Sequence, residues 1–291
     1  MDYDIIGDVH GQFDKLDALL DALGYRERAG ARRHPQRRAI FVGDFIDRGA
    51  CGVEVVRTVR RMIDAGAALA VMGNHELNAI AWHTPDAEDP GEYLRPHRRK
   101  PWGLKNRKQH AAFLAQVEHK SELHREIIDW FLTLPLWLEL PQLRVVHACW
   151  HEPAMAWLSP RLDDRNCLPR HLLPEATKET TAGEADTSMG TFAAVEFLTK
   201  GIEVRLPDGY SFEDKDGIAR RDVRVRWWDT EARVAVGKPT FFGHYWMSGL
   251  PSLLSSSAVC VDYSAGSGGP LVAYRHEAGA PLSPHNFVSA A

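Results

Sequence analysis

Five short apolar runs along the chain each end in a small polar cluster. Tyr3 to Ile6 leads into Gly7, Asp8 and His10, and Ala39 to Val42 leads into Gly43 and Asp44. Leu69 to Met72 leads into Gly73, Asn74 and His75. Leu143 to Val146 leads into His147, and Thr240 to Phe242 leads into Gly243 and His244. Runs of this length stopped by a polar or glycine position predict buried strands. The polar groups then collect where strands end, which is where sites form in layered α/β folds. Between the runs the period becomes helical. Phe13, Leu16, Leu19, Leu20 and Leu23 share one face, with Gly24 as a C-terminal stop. Val53, Val56, Val59 and Ile63 form a second stripe ending near Gly66, and Ile127 to Leu132 predicts a short helix closed by Pro135.

Two stretches break the pattern. Residues 83–125 are highly charged and carry Arg95, Arg98, Arg99, Lys100, Lys105, Arg107 and Lys108. Residues 160–222 are polar and rich in Pro, Gly and acidic groups, with a helical patch near Thr191 to Leu198 and a Pro207-Asp208-Gly209 turn that suggests a hairpin. Both read as insertions covering a site within one domain spanning residues 1–291, and no internal repeat is visible.

Composition narrows the class without choosing a function. The 291 residues are 44% hydrophobic and 25% charged, which is ordinary for a globular chain. A net charge of -4 gives no sign of general nucleic-acid affinity. Cys51, Cys149, Cys167 and Cys260 are scattered and form no CxxC pair, which fits reduced thiols in a cytoplasmic protein. The first residues have neither a basic region nor a long apolar run, so no signal peptide is expected. No apolar stretch of about 20 residues predicts a membrane span.

The polar clusters carry the candidate chemistry. Asp8 and His10 sit two apart after a strand, so extended geometry would project both to one side. A polar turn is equally open for that pair alone. Gly43-Asp44-Phe45-Ile46-Asp47-Arg48-Gly49 could be a turn with an Asp-Arg ion pair, or a carboxylate site beside a bidentate arginine. Asn74 can offer a neutral carbonyl oxygen to a metal, and His75 can act as an acid. A lone histidine such as His147 or His244 is commonly a packed structural residue, but five clusters at five strand ends argue for one shared site.

In this order, Asp8-Val9-His10, Gly43 to Gly49, Gly73-Asn74-His75-Glu76, His147 and Gly243-His244 resemble the motifs of the calcineurin-like metallophosphoesterase family. The serine/threonine-phosphatase-like branch is the most similar, with bacterial diadenosine tetraphosphatases and small protein phosphatases. The resemblance covers roughly residues 1–80, 127–150 and 240–275. It implies an α/β four-layer sandwich of two mainly mixed β-sheets flanked by helices, with inserted cap segments. It also implies two divalent metal ions, one on Asp8, His10 and Asp44 and the other on Asp44, Asn74, His147 and His244. Asp47 would orient His75 toward the leaving group, and Arg48 would hold a phosphate oxygen.

The implied reaction is hydrolysis of a phosphomonoester or nucleoside polyphosphate by hydroxide formed at the metals. Mixed nitrogen and oxygen ligands suit Mn, Fe, Zn or Ni better than Ca, with Mn expected to serve in vitro. The expected partner is a phosphorylated small molecule, a dinucleoside polyphosphate or a phosphoprotein; nucleic acid would enter only as substrate. A phosphodiesterase or nuclease, or a metal-bound scaffold without turnover, is the alternative. Many family diesterases carry a second metal-binding histidine where this chain has Trp246. The branch's second phosphate-binding arginine is unplaced, with Arg224 and Arg226 as candidates. His151, four residues after His147, is expected in a strand or loop and outside the ligand set. Cys149, Trp227 and Trp228 are expected in the core.

Overall fold

The computed structural model describes residues 1–178, 189–213, 219–229 and 237–290. The chain begins β1 (Asp2–Ile6), α1 (Phe13–Leu23), β2 (Arg26–Arg28), β3 (Ala31–Arg33), β4 (Arg37–Phe41), α2 (Gly52–Asp64), β5 (Ala68–Ala70) and α3 (Asn74–His83). It continues through α4 (Trp102–Gln109), α5 (Ala111–Val117), α6 (Ser121–Phe131), β6 (Trp137–Glu139), β7 (Arg144–Val146), α7 (Glu152–Leu158), α8 (Leu173–Thr177) and α9 (Thr191–Lys200). Then follow β8 (Glu203–Arg205), β9 (Phe212–Glu213), β10 (Ala219–Arg220), β11 (Asp222–Arg224), β12 (Thr240–Phe242), β13 (Ala258–Cys260), β14 (Leu271–His276) and β15 (Phe287–Ala290).

Two mixed sheets face each other. One has the order β15-β14-β1-β4-β5, the other β13-β12-β7-β6. Alternation along the strands sorts the side chains into layers. Tyr3, Ile5, Ile40, Val42 and Val71 from the first sheet meet Val145, Phe241, Val259 and Val261 from the second. The opposite faces, with Ile6, Phe41, Val146 and Phe242, pack beneath the helices. Leu16, Leu19, Leu20 and Leu23 of α1 are all buried, and Gly24 ends that helix in the left-handed conformation. Burying such a leucine contributes roughly 1.5–3 kcal/mol.

Strand direction decides where the site falls. β1, β4 and β5 run parallel, and so do β7, β12 and β13. The residues that follow their carboxyl ends are Asp8, Asp44, Asn74, His147, His244 and Asp262. Six strand ends from two sheets therefore contribute to the same cluster.

Two local expectations need correction. The helix foreseen at Ile127 begins at Ser121, because its first turns are charged outside while His124, Ile127, Ile128 and Phe131 form the buried stripe. His151 lies in extended backbone outside any helix, as expected, and caps the following α7 by accepting from the Ala154 amide at 3.1 Å. The Pro207–Gly209 segment does turn, with the Tyr210 amide on the Pro207 carbonyl at 3.1 Å. It does not close a hairpin, however: β8 before it pairs with β11. Residues 179–188 and 214–218 of the second polar stretch lie outside the described residues. Trp227, Trp228 and Cys149 are buried, as expected of core residues.

Candidate metal centre and active site

Asp8, His10, Asp44, Asn74, His147 and His244 are all buried polar residues. Ligand atoms of His10, Asp44 and His75 lie within 4.8 Å of one another, and so do those of Asp44, His147 and His244. Asp44 belongs to both groups. Its Oδ1 is 3.4 Å from His147 Nε2, and its Oδ2 is 3.6 Å from His10 Nε2. Asn74 Oδ1 is 3.1 Å from His147 Nε2 and 3.0 Å from His244 Nδ1. Asp8 joins through its Oδ2, which accepts from the His244 amide at 3.0 Å.

The donor set fits metal ions. His147 Nδ1 lies 2.6 Å from the Val42 carbonyl, so Nδ1 carries the proton and Nε2 turns a lone pair toward Asn74 and Asp44 oxygens. His10 Nδ1 likewise faces the Ile46 carbonyl at 3.1 Å, leaving Nε2 toward Asp44. Lone pairs facing lone pairs in a buried space call for a cation. Asp8 Oδ1, His10 Nε2 and His244 Nε2 are buried without a hydrogen-bond partner among the described residues. The electrostatics agree. Burial disfavours a charged His147, yet the Asp44 carboxylate and Asp8 raise its pKa to about 10, so a positive charge at Nε2, either a proton or a metal ion in its place, is strongly favoured. Burial lowers His10 to about 3 despite Asp44, which keeps its imidazole neutral.

His75 stands beside this cluster with its ring engaged elsewhere. Its Nδ1 is 2.5 Å from Asp47 Oδ2, while its Nε2 is 4.0 Å from Asp44 Oδ2. Although His75 groups with His10 and Asp44 by distance, Asp47 occupies one of its nitrogens and fixes the ring, which leaves Nε2 for work at the centre. Burial would lower its pKa; Asp44 and Asp47 outweigh that and raise it. Arg48 makes no hydrogen bond or ion pair among the described residues. Its guanidinium lies over the Trp246 ring at 3.7 Å from the centroid. Arg224 pairs with Glu203 at 3.3 Å and also reaches the His244 carbonyl at 3.5 Å, and Arg226 pairs with Asp229 at 2.9 Å.

The backbone around these residues is unusual. His10, Asp44, Asp47, Arg48 and His244 all have φ between 47° and 69°. Non-glycine residues there carry a conformational cost that the surroundings must offset. Glu76 supplies much of that support: its carboxylate accepts from the Asp44 and Phe45 amides at 2.8 Å each and from Gly73 at 3.0 Å. Burial and Asp44 raise its pKa to about 7 against those bonds. Gly73 and Gly243 are required by close approach, since a Cβ at either would strike a carboxylate oxygen, of Asp44 or Asp8 respectively.

Three neighbours escaped the sequence reading. Glu76 was visible only as part of the Asn-His-Glu cluster. Asp262 follows an apolar run like the other site residues, and it accepts from the Trp246 and Ser264 amides at 2.7 and 2.9 Å. His110 lies in the charged stretch with no preceding strand to mark it, yet its Nδ1 is 2.8 Å from Asp47 Oδ1.

A layered α/β sandwich with this shared carboxylate at its strand ends is the architecture of a metallophosphoesterase, and the chain belongs to the calcineurin-like phosphoesterase family, whose model matches residues 1–174. Among curated proteins it is similar to the asymmetrical bis(5'-nucleosyl)-tetraphosphatase PrpE of Halalkalibacterium halodurans, 49% identical over 76 residues, covering 26% of this chain and 31% of that one. The Oceanobacillus iheyensis protein of the same name is 30% identical over 149 residues, covering 51% of this chain and 55% of that one. The chain thus spans from about a third to about half the length of these relatives. Among solved structures, a cold-active protein-tyrosine phosphatase of a Shewanella species aligns with TM-score 0.56 and 19% identity, over 100% of this chain and 80% of that one. A Saccharomyces cerevisiae protein serine/threonine phosphatase aligns with TM-score 0.54 and 15% identity, over 99% and 78%. At those identities the likeness is one of fold. Among the described residues no helix is long and apolar enough to cross a membrane.

Proposed function

We propose that the protein is a dinuclear metal-dependent phosphatase acting on a phosphomonoester or a nucleoside polyphosphate. The single observation that carries this reading is Asp44, whose two oxygens face two different groups of metal-competent side chains. In this reading one ion is held by Asp8, His10 and Asp44, and the other by Asp44, Asn74, His147 and His244. When bound, such a pair supplies Lewis acidity that neutralises phosphoryl oxygens and makes water nucleophilic near neutral pH.

The chain's own residues do the rest. Arg48, with no ion pair among the described residues, offers its guanidinium to a non-bridging phosphate oxygen, and Arg224, beside His244, is the better placed of the two candidates for a second clamp. His75, oriented through Nδ1 by Asp47, presents Nε2–H to the departing oxygen and donates that proton as the ester bond breaks. No serine or cysteine nucleophile is needed. The single-domain reading, with residues 83–125 and 160–222 as insertions over the site, accompanies this proposal.

Nucleoside polyphosphates are favoured by the identity to the asymmetrical tetraphosphatases. Trp246 in place of a second histidine disfavours a diesterase. The test is hydrolysis after chelation and Mn addition, using p-nitrophenyl phosphate, bis-p-nitrophenyl phosphate, dinucleoside tetraphosphates and a phosphopeptide. Metal-dependent turnover of the monoester or a tetraphosphate is expected. Turnover of the diester alone would overturn the proposal.

A further inference from the structure

Asp47 is gripped by two imidazoles. His75 Nδ1 sits 2.5 Å from its Oδ2 and His110 Nδ1 sits 2.8 Å from its Oδ1. A carboxylate offers only lone pairs, so both nitrogens donate. Burial pushes Asp47 up, but the hydrogen bonds from His110 and His75 outweigh it and hold the carboxylate below its ordinary range. His110 lies between α4 and α5, within the charged stretch, and is 3% exposed.

The segment carrying His110 is fastened to the helix that carries His75. The Arg95 amide donates to the Ala81 carbonyl of α3 at 3.0 Å. Its guanidinium bridges Asn78 of α3 and Gln109, the neighbour of His110, at 2.5 and 2.8 Å. Asn106 closes the base of the stretch by donating to the Pro96 carbonyl at 3.1 Å. The His110 ring packs 5.1 Å from Phe113 and 6.2 Å from Trp82. His110 is thus delivered to Asp47 by a braced element.

We propose that His110 is a positioning residue: it pins the second oxygen of Asp47, and so fixes the tautomer and direction of His75. This rests on the reading of His75 as proton donor. With one donor, a carboxylate can turn about its last torsion and take the imidazole with it. With both oxygens engaged, that freedom is lost. Asp47 and Arg48 also have left-handed backbones, with φ of 69° and 66°, and a rigid partner on Asp47 helps hold that loop. The stretch from 83 to 125 then completes the acid of the site as well as covering it.

His110→Phe keeps the ring but loses the donor, while His110→Asn retains an amide N–H near the Nδ1 position. The Phe variant is expected to lower kcat by about 10- to 100-fold, the usual effect of removing an outer partner of a site residue. KM and metal content should stay close to those of the parent. The loss should be larger on an alkyl phosphate than on p-nitrophenyl phosphate, whose leaving group needs little protonation. Most of it should return in His110→Asn. The double variant His75→Asn/His110→Phe should be no slower than His75→Asn, because the two residues act as one unit.

A strut without this role would lower thermal stability and leave the leaving-group dependence unmoved. Should the Phe variant fail to fold, His110→Gln, which sets its amide one bond too far out, takes its place. An unchanged kcat in an active, folded variant, or a fully additive loss in the double variant, overturns the inference while the phosphatase reading stands. Absence of hydrolysis in the parent overturns both.

Discussion

The Arg48 guanidinium lies over Trp246, 3.7 Å from the ring centroid, and among the described residues no carboxylate pairs with it. In the proposed reading the indole stands where the family resemblance puts a second histidine in diesterases, and it backs the phosphate-binding guanidinium. A cation over an aromatic face contributes about 0.5–2 kcal/mol. Trp246→Ala should weaken inhibition by inorganic phosphate and raise KM by about 3- to 10-fold, with metal content retained. Lost metal would show that Trp246 supports the ligands instead.

Asp44→Asn should impair binding of both metals, because each Asp44 oxygen faces a separate group of donors. Elemental analysis of the purified variant decides it. Two fully occupied ions would remove Asp44 from the bridging role.

His75→Asn should keep its metals and lose about 10²- to 10⁴-fold in kcat, the range for one general acid. Alkyl esters should suffer more than the aryl ester. Equal slowing of both would make His75 a stabiliser of charge, and metal loss would make it a ligand or a support for one.

Glu76→Gln tests the support of the left-handed loops. The amide NH₂ would face one of the three backbone donors that the carboxylate now accepts, so a donor meets a donor. A loss of about 2–4 kcal/mol is expected in urea unfolding of the chelated protein. A change below about 0.5 kcal/mol would show that those loops hold themselves.

His124 should make the fold sensitive to acid. It is buried beside His83, at 4.6 Å between rings, and Phe113, at 5.6 Å. Burial, then His83 and His110, lower its pKa from 6.5 to about 4, with Glu118 opposing. The unfolded chain takes up its proton first as pH falls. Stability from this site is therefore complete above about pH 6.5 and declines toward pH 4. At about pH 5 the decline amounts to on the order of 2 kcal/mol. His124→Phe should gain on the parent by that amount between about pH 7.5 and pH 5 in urea unfolding. An equal difference at both pH values would rule out His124 as an acid-labile site.

Much of the site could be read from the chain because it lies at strand ends. A buried run followed by glycine and a polar side chain marks both the strand and the position where a ligand can emerge. Asp8, Asp44, Asn74 and His244 carry that signature in full, and His147 follows its buried run without the glycine. His110 does not, since its segment is charged, helical and bound to the site only in three dimensions. The left-handed backbones of Asp44 and His244 are likewise invisible, because neither is glycine. Nor did the composition around residue 151 announce α7: His151 caps that helix, a role set by local backbone geometry. The register that pairs β8 with β11 depends on a contact that skips the nearest turn.

The bond from the His244 amide to Asp8 spans 236 positions, and β1 lies between β4 and the late strand β14. During synthesis, then, Asp8, His10, Asp44 and Asn74 emerge from the ribosome long before His147, and His244 comes later still. The nascent chain passes through a stage with four of its six proposed donors made and its first strand lacking one of its two neighbours. A divalent ion meeting the chain at that stage finds the donors proposed for one ion, Asp8, His10 and Asp44, but only half of those proposed for the other. Filling of the second position should accordingly trail synthesis of the second sheet, whereas the first can be filled before it.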